Sequence, residues 1–114
     1  HRYDGKNGNR HVTVEVRDGN GKSLGEFRQT GTGKQTSIEP VGDIGGTRTG
    51  SSGPHPLGDP EAARDFGTSG FEAGPYKRRK NDCVTGACAV ANQGKPKGGQ
   101  IKPERIRQDL DMED

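Results

Sequence analysis

The stretch HVTVEVRDGNGKSLGEFRQ, residues 11 to 29, alternates Val12, Val14 and Val16 with Thr13, Glu15 and Arg17, runs into Asp-Gly-Asn-Gly, and continues to Leu24 and Phe27. Alternating apolar residues around an Asp-Gly or Asn-Gly turn are the strongest short-range hairpin signal a chain carries. The pattern predicts strands at about 11–17 and 23–29. In that phase the three valines face a core, and His11, Thr13 and Glu15 share the opposite face.

Beyond the hairpin, only Ile38 to Ile44 has the character of a third short strand, and residues 45–58 read as a Gly/Ser/Thr/Pro surface loop. GDPEAARDFG, residues 58 to 67, reads as a two-turn helix with Asp59 as N-cap, Pro60 in first position, Glu61 in the first turn and Gly67 as its stop. KRRKNDCVTGACAVANQGK, residues 77 to 95, predicts a helix capped by Asn81 or Asp82, running through Val84, Ala87, Cys88 and Ala91, and ended by Gly94 and Pro96. Gly86 in its interior costs about 1 kcal/mol relative to Ala, so a neighbour is expected to pack closely there. A last helix from Pro103 to Met112 carries Ile106 and Leu110 at i,i+4 spacing. The expected fold is α+β, a single loop-rich domain spanning residues 1–114, with a small antiparallel sheet packed on the cysteine-bearing helix.

The core must be small. Only 24% of the 114 residues are apolar, against roughly 45–50% in ordinary domains, while glycine contributes 20 residues and tryptophan none. A net charge of +2 lacks the self-repulsion typical of disordered tracts. No apolar run approaches the ~18 residues of a membrane span. The opening HRYDGKNGNR has neither an initiator Met nor an apolar signal core, which reads as a domain excised from a longer protein.

Two cysteines, Cys83 and Cys88, do not make a disulfide scaffold. On a helix, positions five apart stand about 140° around the axis, out of disulfide reach, so two free thiols are expected. Four intervening residues and the lack of a second Cys/His pair at ligand spacing argue against zinc, and the glycine clusters match neither a P-loop nor a dinucleotide fingerprint. No cofactor or metal is expected.

Cys83 falls in the first helical turn, behind Lys77, Arg78, Arg79 and Lys80. A helix N-terminus and nearby cations both favour thiolate, so the placement suits a nucleophile, with the four basic residues supplying positive potential for thiolate or substrate. Cys88, among Ala87, Ala89 and Val90, is placed as a core residue. A cysteine nucleophile needs a base. His1 is terminal and His55 lies between prolines, whereas His11 heads the best strand, so His11 is the candidate.

RHVTVEV and NDCVTGACAVAN together resemble the histidine-led strand and cysteine-led helix of the circularly permuted papain-like hydrolases, the group of NlpC/P60-related peptidases and lecithin:retinol acyltransferase-like enzymes. His11, Asp82, Cys83 and Thr85 match the order of that family, although Asp82 replaces the Asn of the acyltransferase-like version. The resemblance implies a cysteine hydrolase or deamidase acting on amide, peptide or thioester bonds, with the Cys83 backbone N–H as an oxyanion donor. For the third, orienting residue, Gln29 is preferred, since it lies opposite His11 if Arg17 pairs with Ser23; Glu15 and His55 stay open. The small, glycine-rich chain also resembles C-terminal domains of bacterial polymorphic toxins. That implies delivery into a target cell by a larger carrier, a protein or peptide substrate and a cognate immunity protein.

Charge supports a rival. Between Pro75 and Arg107 nine Lys/Arg stand against Asp82 and Glu104. Such a stretch can follow a phosphate backbone, and the alternative is a basic toxin ribonuclease with His11 or His55 as acid/base and nucleic acid as partner. Against it, Tyr3, Phe66, Phe71 and Tyr76 are not interleaved with the basic residues as a stacking platform requires.

Overall fold

The computed structural model describes residues 1–6 and 8–113, that is, all but Asn7 and Asp114. In chain order the elements are β1 (Arg2–Asp4), β2 (Arg10–Val12), β3 (Val14–Arg17), β4 (Ser23–Gly31), β5 (Thr36–Pro40), β6 (Thr47–Gly50), α1 (Pro60–Thr68), β7 (Glu72–Gly74), α2 (Cys83–Asn92) and α3 (Pro103–Asp109). The fold is α+β, with two antiparallel sheets ordered β2-β1-β6 and β3-β4-β5-β7.

The hairpin forms where its turn chemistry places it. The Asp18 carboxylate accepts the N–H groups of Asn20 and Lys22, both at 2.9 Å, and Gly21 takes a positive φ of 82°. Arg17 does pair with Ser23, but the register shifts between Val16 and Arg17, so that Val14 faces Phe27. The predicted first strand also divides at Thr13. Its N–H donates to the His1 carbonyl at 3.0 Å and its carbonyl accepts the His1 α-amino group at 2.9 Å, which hands residues 10–12 to β1 and leaves only residues 14–17 beside β4.

Elsewhere the chain is more regular than its composition suggests. The third strand is Thr36–Pro40 rather than Ile38–Ile44, the expected loop contains β6, and the segment before the cysteine helix contains β7. Gly67 does not stop α1. It lies inside the helix, at a position where a Cβ would stand 2.5 Å from the Phe27 ring, and α1 ends instead where the Ser69 N–H and hydroxyl both donate to the Phe66 carbonyl.

Helix α2 is the spine. Val12, Val84, Ala87, Cys88, Ile106 and Leu110 form one apolar cluster, and Val16, Phe27, Ile38, Ala63 and Val90 form another, with half-buried Val14 touching both. Burial of each such Val, Ile or Phe stabilises the fold by roughly 1.5–3 kcal/mol. Gly86 allows the approach of α2 to the sheet: a Cβ would stand 2.5 Å from the Gln29 Cβ. No described helix is long and apolar enough to cross a membrane.

Candidate active site around Cys83

Asp82 fixes the start of α2. Its carboxylate accepts the N–H groups of Val84 and Thr85 at 3.1 Å, while the Thr85 hydroxyl accepts the Asp82 N–H at 2.8 Å, a complete capping box. Arg107 of α3 then clamps the same carboxylate with two nitrogens, at 3.0 and 3.1 Å, in a buried pair. Although burial opposes ionisation, the Arg107 guanidinium and the N–H groups of Thr85 and Arg79 hold Asp82 below the usual carboxylate range.

The next residue is Cys83, half-buried with a free thiol. The backbone amides of Val12 and of Cys83 itself favour the charged form. The expectation of a depressed thiol is nevertheless not met. Burial pushes Cys83 up, the Asp82 charge beside it adds to the rise, and the two amides and Arg107 do not offset them. Burial likewise raises Cys88, to about 11.

The Val12 contact brings β2 alongside the thiol, and with it His11. In this conformation no hydrogen bond joins the His11 ring to Cys83 among the described residues, and His11 stands cross-strand from Tyr3 on the face opposite Val12. Gln29 is elsewhere. Its amide donates to Thr36 Oγ1 at 2.9 Å and Asn81 Oδ1 at 3.0 Å, and the Asn81 amide donates on to the carbonyls of Ala73 and Pro75. Gln29 therefore pins the turn entering Cys83 rather than orienting His11. Glu15, second in β3, bonds the His1 ring at 3.0 Å, and His55 hydrogen-bonds Ser52 at 2.8 Å.

No family model, curated protein or solved structure matches this chain. The site must be read from its own chemistry.

Lys77, Arg78, Arg79 and Lys80 form an exposed turn closed by the bridge between Lys77 and Asn81, with Arg79 in the left-handed region at φ 69°. Its backbone reaches the thiol site, since the Arg79 N–H donates to Asp82 at 3.0 Å. Two contributors were not read from the sequence. Arg107 sits 24 residues beyond Cys83, with no local pattern to join them. Exposed Tyr76 lies close enough for the Cys83 sulfur and Asp82 charge to add to the rise in its phenol pKa that burial begins. An aromatic followed within seven residues by a helix-capping Asp-Cys was the available signal. No group of three or more His, Cys, Asp or Glu able to hold a metal occurs among the described residues.

Proposed function

We propose that this domain is a cysteine-nucleophile hydrolase or deamidase acting on amide, peptide or thioester bonds. The observation that carries the reading is the place of Cys83, a free and partly buried thiol in the first turn of α2, beside β2 and near the backbone amides of Val12 and of Cys83 itself. These donors, together with the helix terminus, favour thiolate and the oxyanion formed after attack.

Because burial keeps the resting thiol protonated, the reaction starts from thiol and base rather than from a preformed ion pair. His11, next to Val12 in β2, is the base of this reading and takes the proton in the substrate complex, for which its side chain must leave the face opposite Val12. It then returns the proton to the leaving amine or thiol. Tyr76, neutral at pH 7, offers a phenol donor and an aromatic face to the substrate beside the thiol. Lys77, Arg78, Arg79 and Lys80 rim the approach with positive potential. The resemblance to polymorphic-toxin domains supports an effector role, with delivery into a target cell by a larger carrier and neutralisation by an immunity protein.

The test is expression in a bacterial cytoplasm. Growth arrest is expected from the wild-type and Cys88→Ala chains and not from Cys83→Ala or His11→Ala, with each variant checked for fold by circular dichroism. Arrest by a folded Cys83→Ala chain would remove the cysteine hydrolase reading.

A further inference from the structure

A second reactive arrangement lies away from Cys83. A cavity of about 860 Å³ opens between β3, the loop at residues 51–58 and the buried Ala87, Cys88 and Ala91 of α2, within the range of small-molecule sites. Apolar groups make its walls, among them Val14, Leu57, Ala87, Ile106 and Leu110. His1, Glu15 and Ser51 also line it.

These three are joined in a line. Ser51 Oγ is 2.7 Å from His1 Nδ1, and His1 Nε2 is 3.0 Å from Glu15 Oε1. Burial opposes ionisation of Glu15, but hydrogen bonds from Ser23 and Arg17 hold it below the usual range, so it is a carboxylate at neutral pH and only accepts. In its neutral form the imidazole directs Nε2–H at Glu15, which leaves Nδ1 as acceptor for the Ser51 hydroxyl. The backbone of His1 is held on both sides by Thr13, which accepts from its amino group and donates to its carbonyl. Ser51 itself is exposed.

We propose that Ser51, His1 and Glu15 form a serine-nucleophile esterase site whose apolar cavity takes the acyl group of an uncharged ester. A hydroxyl, an acceptor imidazole and a carboxylate in this order make up a hydrolytic triad recognised by roles rather than by fold. The apolar walls select the acyl group. Ser51 Oγ bonds to the ester carbonyl carbon as its proton passes to His1 Nδ1. The carbon–alkoxide bond then breaks and the alcohol leaves with that proton. Water attacks the acyl-serine, gives one proton to His1, releases the carboxylic acid, and the proton returns to Ser51. In this proposal the backbone N–H groups of Ser52 and Gly53, which follow Ser51 in the cavity-lining loop, receive the oxyanion.

The experiment uses the full chain carrying Cys83→Ala, so that thiol chemistry is absent and success or failure here is separate from that of the cysteine site. p-Nitrophenyl butyrate and octanoate are the substrates, and a fluorophosphonate is the covalent probe, located by peptide mass spectrometry. Expected are hydrolysis of both esters, an adduct on Ser51, loss of about 10³-fold or more in kcat/KM with Ser51→Ala, and about 10²-fold with Glu15→Gln, mostly in kcat. Because Ser51 is exposed, Ser51→Ala should keep the parent melting temperature. No turnover and no adduct in the folded Cys83→Ala chain, an adduct on another residue, or unchanged turnover with Ser51→Ala would each overturn the proposal.

Discussion

Cys83 illustrates how two influences on one atom are decided by burial. The helix terminus and the Val12 amide favour thiolate, but half-burial beside the Asp82 charge outweighs them. Alkylation by iodoacetamide, followed by peptide mass spectrometry, should therefore give Cys83 an apparent pKa above its ordinary value of ~8.5, and leave Cys88 unreactive until near pH 11. A Cys83 thiol titrating near pH 7 would mean that a charge partner is engaged in solution, with His11 the first to examine by substitution. Gln29 gives a second residue-level test. It holds Asn81 and Thr36, so Gln29→Ala should lower the melting temperature without moving the pH dependence of Cys83-dependent activity. A shifted acid limb would instead mark Gln29 as a partner of His11.

At the scale of the element, α2 is shaped by what it touches. Helix propensity alone makes Gly86→Ala stabilising by about 1 kcal/mol. Contact reverses the sign, because the new methyl would meet the Gln29 Cβ and Oε1 and then Ile38, and overpacking of this kind typically costs about 1–3 kcal/mol. Urea unfolding should show net destabilisation, and a gain in stability would mean that α2 can slide off the sheet at no cost. The same element shows what was legible in the sequence. The Asp82 cap, the apolar face and close packing at Gly86 all follow from residues adjacent in the chain, as do the hairpin turn at Asp18 and the Asp59 start of α1. What escaped depended on distant partners. Division of the first strand at Thr13 needed His1 as its partner, and β6 needed β1, since a short Thr-Arg-Thr-Gly run has no apolar pattern of its own. The roles of Arg107 and Tyr76, and the assembly of His1, Glu15 and Ser51, likewise required the fold.

Across the whole molecule, one buried ion pair ties the C-terminal helix to the candidate site. Arg107 reaches back to Asp82, whose carboxylate also caps α2 and accepts the Arg79 N–H, so α3, α2 and the basic turn meet at a single group. Arg107→Met removes one partner and leaves the other charge buried, a change that typically costs about 3–5 kcal/mol. The sign with pH follows from the direction of the Asp82 shift. A carboxyl whose folded pKa lies below its unfolded value, ~3.9, contributes stability that is fully present above that value and is lost as pH falls through the folded pKa. The gap between wild type and Arg107→Met should thus be largest at pH 7, hold to about pH 5, and shrink below pH 4 as Asp82 becomes protonated and no longer needs its partner. Urea melts at pH 7, 5, 4 and 3 measure that gap directly. A gap unchanged down to pH 3 would mean that Arg107 stabilises the fold by packing its stem against the Ile106 and Leu110 cluster rather than by pairing with Asp82.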